Sequence, residues 1–309
     1  MGAEQASLPK IAVIILNFRR PKDTLECLRT LLESDYPFFE VLVIDNHSGD
    51  GSARVIAGEF PGVTLMETGE NLGYAEGNNV GIRRALENGA EYFFILNNDT
   101  LVEPDALGHL AESARNHPSA GILAPKVCYA DRRDILNSCG TSVDWLRLRP
   151  KKSFCDQPDK GQCRGSADRP VFPGCALLLN GEFLKKEGLF DSGFFLLHED
   201  ADLCLRSVRA GRRNLLEPKA VIYHKVSRTL SGYPVMTAYF DIRNFLYLAE
   251  RHASPVQKLL TVAGVVLFSL KHAWEWFCKA SERPRARGFF YGLSDYLRRR
   301  QGPFKGGLC

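Results

Sequence analysis

Residues 11–17 read IAVIILN: six apolar positions in a row, closed by an asparagine. A strand with one wet face alternates apolar and polar residues. A strand that is apolar throughout is buried on both faces, as in a parallel sheet covered by helices on each side. The flanking sequence agrees. Behind Asp23, a candidate helix cap, Leu25, Leu28, Leu31 and Leu32 recur at helical spacing. Val41–Ile44 is a second buried run, ending at Asp45, and Val63–Met66 is a shorter strand. A helix is expected over Gly77–Asn88, carrying Val80, Ile82 and Leu86 inward. Tyr92–Leu96 is another strongly apolar strand, ending at Asn97, Asn98 and Asp99. Strand–helix–strand repetition implies an α/β fold, a mostly parallel sheet with crossover helices. In such sheets ligands bind outside the carboxyl ends of the strands. Asn17, Asp45–Asn46 and Asn97–Asp99 all fall there. Polar loops at strand ends are the plainer explanation, but three ends agreeing favours a binding site.

The chain has 309 residues, with 45% hydrophobic and 25% charged. These values exclude a disordered chain, a collagen-like fibre and a polytopic membrane protein. Net charge is +4, too little to suggest nucleic acid as a partner, but residues 281–309 hold seven Lys/Arg and two Asp/Glu. That basic end points to an anionic surface such as lipid head groups. The nine cysteines include no CxxC pair, and the start MGAEQASLPK has no apolar secretory core. Reduced thiols in a cytoplasmic protein are therefore expected. Cys128, Cys139, Cys155, Cys163 and Cys175 fit no zinc spacing.

Residues 128–170 lose periodicity and are expected to form an excursion over the site. An apolar strand returns at Pro173–Asn180. An aromatic loop then leads into a helix within Phe190–Arg209, and residues 238–250 and 255–278 look helical. The apolar run Leu259–Leu270 is twelve residues long, too short to span a bilayer. With Trp274, Trp276 and Phe277 behind it, the segment lies either in a membrane interface or in a core. Residues 1–235 thus divide into a ligand-binding half (about 10–125) and a second half (126–235), followed by a helical basic region, 236–309.

Four clusters carry chemistry. GENLGYAEGNN, Gly69 to Asn79, is a turn-rich loop opening a helix. Its glycines, Gly73 among them, allow close backbone approach, and the amides of Asn71, Asn78 and Asn79 suit a base or sugar. It is neither a P-loop nor a G-x-G-x-x-G fingerprint. Asn97-Asn98-Asp99 offers a hard oxygen for a divalent cation, or else a structural loop. His198-Glu199-Asp200-Ala201-Asp202 places three carboxylates at a helix start. Capping explains one or two of them, and Phe190, Phe194 and Phe195 would shield another and raise its pKa toward general-base duty. His224 ends an apolar run, either as a satisfied polar residue or as a nitrogen ligand for the same metal as Asp99.

Taken together, IAVIILNFRR, VLVIDNHSGDGS, ENLGYAEGNNVGI, YFFILNNDT, FPGCALLLN, GLFDSGFFLLHEDADLCLRSVRAG and VIYHKVSRT span residues 11–230. In that order they resemble the family 2 inverting glycosyltransferases of GT-A fold, closest to bacterial rhamnosyltransferases and galactofuranosyltransferases. The resemblance implies a nucleotide-diphosphate sugar donor (dTDP- or UDP-linked) and a glycan or lipid-linked acceptor in cell-surface polysaccharide synthesis. It also implies Mg²⁺ or Mn²⁺, and a place in the cytoplasm or on the inner face of the membrane. Asn17 and Arg19 match nucleotide contacts, Asp45 the residue that reads the pyrimidine, and Asn71 the asparagine of the Asn-x-Gly loop. Asn46, Gly73, Asn78 and Asn98 lie beside these as further donor contacts. Asp99 matches the last aspartate of Asp-x-Asp, and His224 a metal-ligating histidine. Asp200 matches the catalytic base, and Glu199 the neighbour that helps hold the acceptor. DIRNFLYL, 241–248, resembles a further family feature in which Arg243 and Asn244 either touch the acceptor or pack.

One departure is Asn97, where the family carries the first aspartate of Asp-x-Asp. An amide binds cations more weakly than a carboxylate. Two other readings remain. A sugar nucleotidyltransferase would carry a Gly-rich basic loop after the first strand, and Asn17–Pro21 has no glycine. A non-catalytic sugar-binding module would not need Asp99, Asp200 and His224 together.

Overall fold

A computed structural model describes residues 8–163, 167–226 and 232–305. Residues 1–7 and the end of the Val221–Thr229 motif lie outside them. The elements of the first half are β1 (Ile11–Asn17), α1 (Pro21–Leu32), β2 (Phe39–Asp45), α2 (Ser52–Glu59), β3 (Thr64–Glu67), α3 (Gly73–Glu87), β4 (Tyr92–Asn97), β5 (Thr100–Val102) and α4 (Ala106–Asn116). β1 lies between β2 and β4 and is parallel to both, and β3 extends the parallel set from β2. Alternate residues of β1 serve opposite layers. Ile11, Val13 and Ile15 pack with Leu28 and Leu31 of α1 and Leu107 and Leu110 of α4. Ala12 and Ile14 pack with Ala75, Ile82 and Ala85 of α3. The unbroken apolar run is thus a strand between two helical layers.

Beyond β4 the sheet becomes mixed. β6 (Ile122–Tyr129), β7 (Ile135–Ser138), β8 (Thr141–Asp144), β9 (Arg149–Lys152), β10 (Gln157–Pro158) and β11 (Ala167–Asp168) fill the region expected to be irregular. β12 (Ala176–Asn180) runs antiparallel between β4 and β6. After α5 (Gly181–Glu187) and α6 (Glu199–Arg209), β13 (Asn214–His224) pairs parallel to β6 and antiparallel to β5.

Three further helices, α7 (Pro234–His252), α8 (Pro255–Cys278) and α9 (Arg283–Leu297), complete the chain. Ile242, Phe245, Leu246 and Phe289 form their own apolar cluster, joined by Leu148 from the turn between β8 and β9.

The structure corrects four expectations. Asp23 does not cap α1: Arg20 holds the cap position without a side-chain bond, and Asp23 instead pairs with Arg20 and Lys225. α3 starts at Gly73, four residues before the expected Gly77, so Asn78 and Asn79 sit inside a helix. Cys139 and Cys163 form a disulfide across 24 residues, with Cα atoms 6.1 Å apart, so these two are not reduced thiols. Their spacing along the chain gave no sign that the fold brings them together. The helix expected over 255–278 is present as α8, opened by a capping box of Ser254 and Gln257, and its 24 residues exceed the twelve-residue apolar run that by itself is too short to span a bilayer. By length and composition α8 is able to cross a membrane, and only 17% of its apolar window is buried. Much of the basic end is folded: Arg283 bonds the Trp276 carbonyl, Arg299 pairs with Glu250, and Arg300 pairs with Asp295.

Candidate active site

The strand ends meet as the parallel register requires. Asn17 pairs with Asp45 across β1 and β2, and Leu16 pairs with Asn97 across β1 and β4. Asp45 is buried, and its Oδ2 accepts from Asn17 Nδ2 and Ser48 Oγ, both at 2.7 Å. Its Oδ1 accepts the Ser48 amide at 2.9 Å. The network continues outward: Thr24 donates to Asn17 Oδ1 at 2.8 Å, and Asn98 donates to Thr24 at 3.0 Å. Arg19 has a left-handed backbone (φ 57°), donates from Nε to the Ser48 carbonyl, and lies over the Phe18 ring. A cavity of about 260 Å³ opens here, lined by Asp45, Gly49, Gly51, Arg54, Leu65 and Glu67.

The Gly69–Asn79 segment is pinned to this edge by Asn46. Its Nδ2 donates to Asn71 Oδ1 and the Gly73 carbonyl, and its Oδ1 accepts the Leu72 amide at 2.9 Å. Gly73 has φ +75°, and a Cβ there would meet the Phe195 ring at 2.6 Å. The Phe195 carbonyl caps α3, accepting the Tyr74 amide at 2.6 Å and the Ala75 amide at 3.4 Å. Asn78 donates to the Tyr74 carbonyl within α3, while its Oδ1 is buried without a partner. Asn79 bonds both backbone groups of Phe190. Asn79 therefore anchors the aromatic loop.

Asp99 and His224 come together, Nε2 to Oδ1, at 3.1 Å. The pairing of β13 with β5 sets this contact, because His224 lies opposite Thr100. Asn97 is turned elsewhere: the Tyr74 hydroxyl lies 3.0 Å from its Oδ1 and 2.7 Å from the Gly174 carbonyl. Burial, then the nearby carboxyl groups of Glu199 and Asp200, push that phenol well above its usual range.

The Gly174 amide donates to Asp200 Oδ2 at 2.7 Å, and the Ala201 amide donates to Oδ1 at 2.7 Å. Two backbone donors therefore fix the orientation of the Asp200 carboxyl group. Glu199 differs. It is 5% exposed with an unpartnered Oε2, and burial followed by the charge of Asp200 holds its carboxyl well above the usual range. The shielded, proton-holding carboxyl is thus Glu199. The third acid, Asp202, is structural: fully buried, it is held by Arg206 Nε at 2.9 Å and His252 Nε2 at 2.9 Å.

Sequence reasoning gave no role to Tyr74, Gly174 or His198, and weighed Cys175 only as a zinc ligand. Tyr74 and Gly174 bridge Asn97 to Asp200. Cys175 lies beside them, its thiol pushed up to about 12 by burial with Asp99 and Asp200 adding to the effect. His198 has φ 70° and its Nε2 lies 2.8 Å from Asp241 Oδ1. The only signals were their places inside quoted motifs.

Residues 12–170 match the family described as glycosyl transferase family 2. The chain belongs to that family. Among curated relatives, an N-acetylglucosaminyl-diphospho-decaprenol L-rhamnosyltransferase of Mycobacterium tuberculosis (strain ATCC 25618 / H37Rv) is 27% identical over 232 residues, 69% of this chain and 75% of the relative. The dTDP-rhamnosyl transferase RfbF of Shigella flexneri is 25% identical over 271 residues, 85% of this chain and 86% of the relative. Among solved structures, S. aureus TarS in complex with UDP-GlcNAc aligns with a TM-score of 0.61 at 15% identity, over 94% of this chain and 81% of that one. Mannosyltransferase PcManGT from Pyrobaculum calidifontis, in complex with GDP-Man and Mn2+, aligns with a TM-score of 0.59 at 18% identity, over 96% of this chain and 89% of that one. The fold is GT-A-like, as these neighbours show.

The site can be tested for a divalent cation on its own residues. Among the described residues no three His, Cys, Asp or Glu side chains form a cluster that would hold an ion. Two do, in part. In an octahedral shell with bonds of about 2.1 Å, neighbouring donors sit about 3.0 Å apart. The Asp99–His224 separation of 3.1 Å matches that spacing. One carboxylate and one imidazole fit an ion whose remaining ligands come from a bound diphosphate and water, with Asn97 held away by Tyr74.

Proposed function

We propose that the chain is an inverting glycosyltransferase. It moves a hexose, rhamnose-like in the first instance, from a dTDP- or UDP-sugar to a hydroxyl of a lipid-linked glycan precursor, at the cytoplasmic face of a membrane. The observation that carries this reading is the gathering of the Asp45 cavity, the Asp99–His224 pair and Asp200 at one edge of the sheet.

In this reading the pyrimidine enters the cavity beside Asp45, with Asn17 and Arg19 ordering its wall. Asn46, Asn71 and Gly73 hold the loop that covers the donor, Asn78 supports it from the helix, and Asn98 supports Asn17 through Thr24. Asp99 and His224 hold Mg²⁺ or Mn²⁺, which when bound stabilises negative charge on the leaving diphosphate. Asp200, aimed by the Gly174 and Ala201 amides, accepts the proton of the acceptor hydroxyl. That oxygen forms a bond to the anomeric carbon as the bond to the diphosphate oxygen breaks on the opposite face. Configuration inverts, and the nucleoside diphosphate leaves with the bonding electrons. Glu199, protonated beside Asp200, donates to an acceptor oxygen rather than competing for its proton.

The test is product analysis with nucleotide sugars, with and without Mn²⁺. A transferase releases nucleoside diphosphate, slowly by hydrolysis when no acceptor is present. A nucleotidyltransferase working in reverse consumes pyrophosphate, and a binding module releases nothing. No nucleoside diphosphate from any dTDP- or UDP-sugar, with a polyprenyl-linked acceptor present, overturns the proposal.

A further inference from the structure

His198 connects the catalytic pair to a second cavity, of about 750 Å³, because its partner Asp241 lines it. The walls are the turn between β8 and β9 and one face each of α7, α8 and α9. The floor is apolar: Leu148, Ile242, Leu267, Phe268 and Phe289. The rim is cationic: Arg147, Arg149, Lys271 and Arg285, against the single carboxylate Asp241. Arg147 is paired with Asp144 and Lys271 lies 3.6 Å from Glu275. Among the described residues Arg149 and Arg285 form no ion pair, and both are exposed. Leu267 also belongs to the outer flank of α8, where Leu259, Val262, Val266, Leu270 and Phe277 are exposed. Cations over an apolar floor, opening onto an apolar helix flank, match a ligand whose multiple negative charges lie directly beside a hydrocarbon chain. A soluble phosphate ester would leave the floor wet, and a neutral lipid would leave the cations unmatched.

We infer that this cavity binds the diphosphate of a lipid-linked acceptor, with the flank of α8 taking the chain into the bilayer. The inference rests on the transferase reading above and names its acceptor subsite, one hydrogen-bonded step from the catalytic pair through Asp241 and His198.

The test uses the full chain and phosphatidylcholine vesicles doped with a polyprenyl diphosphate. Vesicles matched in surface charge with phosphatidylglycerol, and inorganic diphosphate as competitor, are the other arms. Co-sedimentation should favour the polyprenyl diphosphate. The double substitution R149A/R285A should weaken it about 25-fold, about fivefold for each cation removed. R149K/R285K should restore most of the loss, and an unchanged melting temperature confirms folding. Equal binding to the phosphatidylglycerol vesicles overturns the cavity in favour of general surface charge. Inorganic diphosphate competing as well as the lipid overturns the lipid head group as occupant. A stable dimer that ignores vesicles means a second copy covers α8, and also overturns it. Nucleotide-sugar binding by the wild-type chain is followed separately. Its presence without vesicle binding refutes the cavity alone, and its absence refutes the transferase reading.

Discussion

Gly73→Ala tests how the donor side of the site is tied to the acceptor side. An alanine there must adopt φ near +75°, which costs about 1–2 kcal/mol for an L residue. Its Cβ would also fall within 2.6 Å of the Phe195 ring and against the Phe195 carbonyl. That carbonyl accepts the Tyr74 and Ala75 amides, and displacing it costs about 1 kcal/mol for each bond lost. The expected loss of stability is about 3 kcal/mol. Phe195 stands three residues before His198, so its shift also moves Glu199 and Asp200. Misplacement of a base by about 1 Å costs on the order of 10²-fold in turnover. Urea unfolding measures the first effect, and turnover of the still-folded fraction the second. Gly69→Ala is the control, since its Cβ would meet no atom within 4 Å and its φ is ordinary, and it should stay within about 0.5 kcal/mol of wild type. If Gly73→Ala matches that control in both assays, the coupling through Phe195 is wrong.

Asp200→Asn should lower transfer by about 10²–10⁴-fold with donor affinity nearly intact, because the base meets only the acceptor. Turnover and donor titration on one preparation decide it, and wild-type turnover sinks the assignment. Asp99→Ala and His224→Ala should each weaken Mn²⁺-dependent donor binding, and an unshifted Mn²⁺ titration removes that residue from the ligand set. Glu199→Gln should stabilise the fold at neutral pH. The folded protein holds the Glu199 proton well above the ordinary 4.5, whereas the unfolded chain releases it there. Wild-type stability therefore falls as pH rises from 4.5 toward the folded value, by up to about 1.4 kcal/mol per unit, and is unaffected below 4.5. The advantage of the Gln variant should vanish at low pH. An advantage independent of pH in a melting series refutes the protonated Glu199.

What the sequence made legible was set by periodicity. β1, β2 and β4 are buried on both faces over 11–15, 41–44 and 93–96, so these stretches are apolar and the runs are plain. Their ends carry Asn17, Asp45 and Asn97–Asp99, and the parallel register aligns those ends without help from distant chain. The same local signal missed what tertiary contact decides. Asn97 faces Tyr74 because Gly174 lies beside β4, 77 residues later in the chain. Glu199 rather than Asp200 is the desolvated acid: Asp200 is taken by the amides of Gly174 and Ala201, and the first of these lies 26 residues earlier in the chain. The Cys139–Cys163 disulfide and the start of α3 at Gly73 likewise depend on partners that spacing does not reveal.

The C-terminal helices are part of the same device. Phe195, Leu197 and His198 all have left-handed backbones, at φ 62°, 67° and 70°. Such a run is costly for non-glycine residues and persists only where its surroundings over-determine it. Here the determinant is α7. Asn244 Nδ2 lies within 2.8 Å of the carbonyls of Phe194, Leu196 and Leu197. Arg243, fully buried, donates to the Phe194 carbonyl at 3.0 Å and to the Gly302 carbonyl at 2.7 Å, and lies 5.0 Å from the Tyr239 and Phe240 ring centres. Of the two readings open for these residues, packing is the one the contacts support. The packing nonetheless has a functional direction, since it fixes the loop that caps α3 on one side and begins α6 at Glu199 on the other. On the inference that α8 takes the lipid chain into the bilayer, the grip of α7 on this loop ties the position of the acceptor to the position of the base.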